Sequence, residues 1–145
     1  MKIIYIAETS ITNKSAYTHH VLKMCDAFCQ LNNDLVLLIP KLDKKFLFNK
    51  IRKNFLLSGK KNFKIKSILN KKLTNFFLRV VFAYKVSKYI NEKKADIIVT
   101  RSFISSVFLS IFRIKHFLEI HSELQSITKY LMINLNFINS NFIIK

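Results

Sequence analysis

Residues 34–40 read DLVLLIP: one acid, five apolar residues without a break, and the chain's only proline. A strand with one face in water alternates apolar and polar residues. A run that is apolar throughout is expected of a strand covered on both faces, as in a parallel sheet. Outward from this run, other strand candidates recur: KIIYIA (2–7), FKIKSI (63–68, after the single glycine, Gly59), DIIVT (96–100) and HFLEI (116–120). Between them lie stretches with apolar residues at helical spacing. Residues 16–31 carry Val21, Leu22, Cys25, Phe28 and Cys29. Residues 71–92 carry Leu73, Phe76, Phe77, Val80, Tyr84 and Ile90 along one stripe. Shorter helices fit 103–112 and 123–133. Strand and helix alternate from end to end, the signature of βαβ units with right-handed crossovers. The expected fold is therefore α/β, a Rossmann-like three-layer α/β/α sandwich on a parallel sheet.

The chain has 145 residues, half of them apolar, enough for one domain with its own core. No repeat, linker or internal boundary divides it. The final NFIIK (141–145) looks like the opening of another strand, so Phe142, Ile143 and Ile144 are expected to add a sixth strand or to pack poorly. A chain that stops there reads as truncated at its C-terminus, with self-association as the expected consequence of uncovered sheet. No apolar run is long enough to span a bilayer. The opening MKIIYIAETS resembles a signal peptide only superficially: Glu8 follows the apolar run at once and no small-residue cleavage site is present. A first strand and a cytoplasmic location are the expectation, and two cysteines without a disulfide framework agree with it.

The net charge is +17, from 21 Lys and 4 Arg against eight acids. Such an excess points to nucleic acid or an anionic membrane. It is matched by a bland reading, an AT-rich coding bias that enriches Lys, Asn, Ile and Phe. Lysine over arginine argues against specific nucleic-acid recognition, which favours forked guanidinium contacts. The Lys-rich stretch 41–61, with Phe46, Leu47, Ile51, Phe55 and Leu56 interleaved, is open to two readings. It is an amphipathic segment lying on anionic lipid, or a surface helix of a basic protein.

Chemistry concentrates in FLEIHSE, 117–123. Glu119 and His121 are two residues apart, hence on one face of a strand, and a carboxylate beside an imidazole suits general-base or phosphate-binding work. Open α/β sheets bind ligands at the carboxyl ends of their strands. A merely structural histidine remains the alternative. The loop after the first strand, ETSITNKSAYTHH, has no glycine, so the GxGxxG reading fails. Ser15 and Ala16 start the next helix, either as a plain N-cap or as amides facing an anion. Cys25 and Cys29, one turn apart, share their face with Leu22 and Phe28 and are expected in the core; with His19 and His20 they match no zinc spacing. Walker A, GxSxG and HExxH patterns do not occur.

The layout resembles the N-terminal, acceptor-side domain of GT-B glycosyltransferases of the family 4 type. KIIYIAET leads into SAYTHHVLKMCDAFCQL, where such enzymes often have a Gly-Gly turn and an R-H-V-like helix start. NNDLVLLIP resembles their G-H-x-V-x-V-x-x-P second strand. KADIIVTRSFISSVF resembles the fourth strand with its D-I-I-x-x-R, and HFLEIHSE resembles the fifth strand, which typically ends in a histidine near the cleft. Their order and spacing over nearly the whole chain carry the likeness. The resemblance implies transfer of a sugar from a nucleotide-sugar donor to a saccharide or lipid-linked acceptor, as in cell-surface polysaccharide biosynthesis, with no metal and no cofactor. It implies that His121 is catalytic, that Asn13, Lys14, Ser15 and Ala16 approach the donor phosphates, and that Arg101, Glu119 and Glu123 shape the acceptor side. Peripheral contact with the inner face of the membrane is compatible with it, and a nucleic-acid partner is not expected. Two departures stand out. Ser15 and Ala16 replace glycines, and the second Rossmann-like domain, which in the family binds most of the nucleotide sugar and carries a pair of glutamates, lies outside these 145 residues. The chain alone is therefore expected to be inactive. The competing reading is a standalone basic α/β module for RNA or anionic lipid.

Overall fold

A computed structural model describes residues 1–11, 15–42, 48–59, 61–120 and 140–144. In chain order the elements are β1 (Lys2–Ile6), α1 (Ala16–Gln30), β2 (Asp34–Ile39), α2 (Phe48–Phe55) and β3 (Phe63–Ser67). These are followed by α3 (Phe76–Glu92), β4 (Ile97–Thr100), α4 (Phe103–Ile111), β5 (His116–Ile120) and β6 (Ser140–Ile144). The strands form one sheet in the order β3-β2-β1-β4-β5-β6, and every pairing is parallel. The five expected strands are all present within a residue or so of their anticipated ends. The sixth is also present, with Phe142, Ile143 and Ile144 in register with Leu118, Glu119 and Ile120. The anticipated helix at 123–133 lies outside the described residues.

Strand β1 sits at the centre, and its two faces build two cores. Ile3, Tyr5 and Ala7 join Leu35, Leu37 and Ile39 of β2 under α1 and α2, where Val21, Leu22, Cys25 and Cys29 close the layer. Ile4 and Ile6 join Leu38 and Ile98 on the opposite side, under Phe82, Val86 and Ile90 of α3 and Leu109 of α4. This is the physical content of the unbroken apolar runs: neither face of the central strands reaches water. Both cysteines are buried as expected, and burial pushes the Cys25 thiol well above its usual range and that of Cys29 up to about 11.

Helix starts follow from side-chain caps. Ser15, Asn75 and Ser102 each accept a hydrogen bond from the backbone N–H three residues on, satisfying a donor that the first turn leaves unpaired. In a chain with a single glycine, the turn that ends α1 uses Asn32 at φ 59°, the residue type that best tolerates this region after glycine.

One expectation needs correction and another is narrowed. The stripe anticipated on 71–92 is right only in part: Ile90 is buried and Leu73 packs against the core, but Phe76, Phe77 and Tyr84 are exposed, and the seam that meets the sheet is Phe82, Ala83, Val86, Ser87 and Ile90. The segment is apolar almost all round, so spacing alone did not single out one face. The helix itself begins at Phe76, behind its Asn75 cap, rather than at 71. In the basic 41–61 stretch, Ile51 and Phe55 are packed into the core. The nearest apolar surface for that amphipathic helix is the sheet, and those side chains are not free to enter a membrane. Phe46 and Leu47 lie outside the described residues.

On the α4 side, buried His116 donates from Nδ1 to the Ile114 carbonyl (2.8 Å) and accepts at Nε2 from the Ser106 hydroxyl (2.6 Å). Burial holds this imidazole below its ordinary pKa. Its unfolded counterpart takes up a proton below about pH 6.5, so the unfolded chain binds more protons and stability falls as pH drops from there towards the folded value. Urea midpoints measured from pH 7.5 to 5 should fall more steeply for the native protein than for His116→Gln. A second check concerns the α3 seam. Phe82→Ala should cost about 3–5 kcal/mol, whereas Phe77→Ala should lie within about 0.5 kcal/mol of the native protein.

Candidate functional site

The chain leaves β1 for α1 on one face and β4 for α4 on the other, so the two exits diverge and open a crevice at their carboxyl ends. In doubly wound sheets that reversal is where ligands bind. Here the crevice is bridged by Glu8. One of its oxygens accepts from the Ser102 hydroxyl, and the other from Arg79 Nε at 2.6 Å. Glu8 thus links the exit of β1 to the cap of α4 and to the first turn of α3. Beside it runs a cleft of about 500 Å³ lined by Glu8, Thr9, Ser10, Pro40, Lys41, Lys72 and Leu73. A neighbouring space of about 380 Å³ continues past Glu8 to Thr74, Asn75, Phe76 and Arg79. Its walls offer hydroxyls, one carboxylate and three cationic side chains, a set suited to a polyhydroxylated or anionic ligand.

Beneath α1, close to the same strand ends, lies a buried polar cluster. The Tyr5 hydroxyl donates to Glu119 Oε2, and Arg101 Nε stands 3.8 Å from that same oxygen. Arg101 Nη1 donates to His20 Nδ1 at 3.0 Å, and its guanidinium lies 4.5 Å from the centre of the Tyr17 ring. Since arginine only donates, His20 accepts at Nδ1 and carries its proton on Nε2. The side chains of Arg101 and Glu119 are 7% and 2% exposed. A carboxylate so placed survives only with its charge and lone pairs compensated, and Arg101 and Tyr5 contribute to that. Burial, and then the bond to Glu119, push the Tyr5 phenol far above its ordinary pKa, so it remains a donor. Burial also raises Tyr17.

The loop from β1 to α1 is pinned on both flanks. Thr18 Oγ1 meets Thr9 Oγ1 at 2.6 Å and Ser15 Oγ at 3.0 Å, and Ser15 Oγ accepts from the Thr18 amide at 3.2 Å. Ser15 is therefore the N-cap and Ala16 the first residue of α1. Asn13 and Lys14 lie outside the described residues, as do His121 and Glu123. Of the anticipated site residues, Arg101 and Glu119 are brought together, turned under α1 towards Tyr17 and His20 rather than into the open cleft. Among the described residues, the histidine that meets their network is His20. Glu8, Ser102, Lys72 and Arg79 were not anticipated as site residues. Glu8 had a signal, being an acid directly after a buried strand. The others acquire their place from pairings across the chain.

No protein-family model matches the sequence, and no curated protein matches it. Solved structures do. MurG of Acinetobacter baumannii is similar over 100% of this chain and 46% of its own, with TM-score 0.57 and 11% identity. A UDP-glucosyltransferase from Polygonum tinctorium is similar over 92% of this chain and 32% of its own, with TM-score 0.55 and 11% identity. Phenylacrylic acid decarboxylase from Aquifex aeolicus is similar over 99% of this chain and 80% of its own, with TM-score 0.52 and 11% identity. The first two are GT-B glycosyltransferases, and this chain spans less than half of either. At such identities the likeness is one of fold. The chain has a glycosyltransferase-like α/β fold, and the same sheet also serves a decarboxylase.

The buried cluster makes a quantitative prediction. Arg101→Met removes the cation beside buried Glu119 while the Tyr5 hydroxyl still donates to it, which should cost up to about 3–5 kcal/mol by urea denaturation. Adding Glu119→Gln should recover most of that loss, because the amide needs no counter-charge.

Proposed function

We propose that this chain is the acceptor-side domain of a GT-B glycosyltransferase of the family 4 type, one half of the GT-B fold, spanning 1–145 as a single Rossmann-like unit. The reaction transfers a sugar from a nucleotide sugar to a saccharide or lipid-linked acceptor. The observation that carries this reading is the polar cleft at the carboxyl ends of β1 and β2, on a sheet shared with GT-B enzymes. Hydroxyl and carboxylate groups there suit the hydrogen-bonding of a saccharide, and Lys41 and Lys72 suit a phosphate-bearing one.

In this reading His121, the residue that follows β5 in sequence, is the catalytic group. Residues Asn13, Lys14, Ser15 and Ala16 approach the donor phosphates at the start of α1. Arg101, Glu119 and Glu123 belong to the acceptor side. The ion pair between Arg101 and Glu119 has a positioning role: it fixes the end of β5, the strand that immediately precedes His121 in sequence. No metal or cofactor is required. A second Rossmann-like domain supplies most of the nucleotide-sugar contacts, and the enzyme works in the cytoplasm at the inner face of the membrane.

Transfer needs the diphosphate leaving group anchored while the acceptor hydroxyl is aligned with the anomeric carbon, and alignment contributes up to roughly 7–11 kcal/mol. One wall of a cleft cannot hold both partners. The 145-residue chain alone should therefore give no product from a panel of nucleotide sugars. Adding a matching C-terminal domain should restore turnover, and His121→Ala should lower the restored rate by about 10²–10⁴-fold. Turnover by the chain alone, or restored turnover indifferent to His121, would overturn the assignment.

A further inference from the structure

The guanidinium of Arg79 is only half used. Its side chain is 49% exposed, and it gives Nε to Glu8 Oε2 at 2.6 Å. Among the described residues, Nη1 and Nη2 have no hydrogen-bond partner. The two terminal nitrogens of a guanidinium lie in one plane, a fork that fits the two oxygens of a carboxylate. Glu8 holds this fork in place. Its other oxygen is bound by the Ser102 hydroxyl, and its side chain is only 10% exposed.

The groups around the fork are those a sugar ring needs. Arg79 lines the space of about 380 Å³ with Thr74, Asn75 and Phe76, and this space adjoins the larger cleft at Glu8 and Leu73. Asn75 uses its Oδ1 to accept from the Leu78 amide, which leaves its NH2 to donate, and exposed Thr74 adds a hydroxyl. Phe76, one helical turn from Arg79, is 70% exposed and offers an apolar wall for the C–H side of a pyranose. The charge of the walls is one-sided: Lys41, Lys72 and Arg79 stand against Glu8 as the one acid among the lining residues. A neutral sugar has no use for that surplus. Between the two common sugar anions, Glu8 favours the weaker charge. A carboxylate carries one negative charge, whereas a phosphate monoester carries close to two and would sit beside Glu8 on the same guanidinium. We propose that Arg79 determines specificity in this cleft by receiving the carboxylate of a hexuronic acid unit, so that the saccharide bound here is an acidic one. The inference rests on the saccharide reading of the cleft and narrows it to one class of sugar.

The test is titration of the isotope-labelled 145-residue chain with three probes: methyl β-D-glucuronide, methyl β-D-glucoside, which has CH2OH in place of the carboxylate, and glucose-6-phosphate. The native protein should bind the glucuronide at least about tenfold more tightly than the glucoside, with amide shifts at 72–76 and 79. Arg79→Gln should bring the glucuronide down to the affinity of the glucoside and leave the glucoside unchanged. Arg79→Lys, which keeps the charge without the fork, should recover only part of the loss. Lys88→Gln removes the same charge from an exposed position elsewhere on α3 and should bind as the native protein does. Urea midpoints establish that the variants are folded, and the native preference for glucuronide over glucoside stands as a test should Arg79→Gln not fold. Equal affinity of the native protein for glucuronide and glucoside at the cleft would leave the saccharide reading standing and overturn the inference. Tighter binding of glucose-6-phosphate than of the glucuronide would also overturn it, and so would an equal loss in Lys88→Gln, which would show diffuse attraction by a basic protein. Binding of none of the three at the cleft would remove the saccharide reading together with the inference.

Discussion

A carboxylate at the end of a buried strand sets the terms for this molecule. Glu119 leaves β5 on the α1 face, where the neighbouring layer is apolar, and it is tolerated there because Tyr5 of β1 donates to it and Arg101 of the β4 exit lies against it. Three strands and, through His20 and Tyr17, helix α1 are joined at one point. The constraint behind this is general. When the central strands have no wet face, polar side chains have room only where the strands stop. Glu8, Ser102, Arg101 and Glu119 are all found there, which places the polar groups at the end of the sheet where its topology opens a cleft.

The strands were legible from sequence because a parallel sheet writes itself locally. LVLLI and IIYI can be satisfied only by burial on both faces, and both are central. The faces of the helices were less legible. In α3, apolar residues occupy nearly every direction, and which of them meet the sheet is decided by packing on α4 and on β1, the latter far away in sequence. In α2 the amphipathic pattern was read correctly, but a stripe says only that an apolar surface is needed. It does not say whether the surface is lipid or the protein's own sheet, and here the sheet takes Ile51 and Phe55.

The site divides in the same way. Glu119 and Arg101 could be singled out because charge at the end of an apolar strand is conspicuous. Their partners could not. Tyr5 lies 114 residues from Glu119, Ser102 lies 94 from Glu8, and His20 lies 81 from Arg101, so no local pattern announces these pairs. Sequence also divided its weight over Ser15, between a plain cap and an anion site. The cap is realised, its hydroxyl accepting from the Thr18 amide. Fold likeness does not decide chemistry, since a decarboxylase shares the sheet with the glycosyltransferases. The functional reading therefore depends on what the cleft at Glu8 recognises.

That dependence can be measured directly. Amide resonances of the isotope-labelled chain, followed during titration with a panel of saccharides and nucleotide sugars, report where ligand meets backbone. The account predicts shifts grouped at 8–10, 41 and 72–76, which line the cleft, and at Ser102, which bonds to Glu8. Shifts grouped instead at the amino ends of the strands, around residues 2, 34, 63 and 97, would contradict it, as would a panel that leaves the cleft residues unmoved.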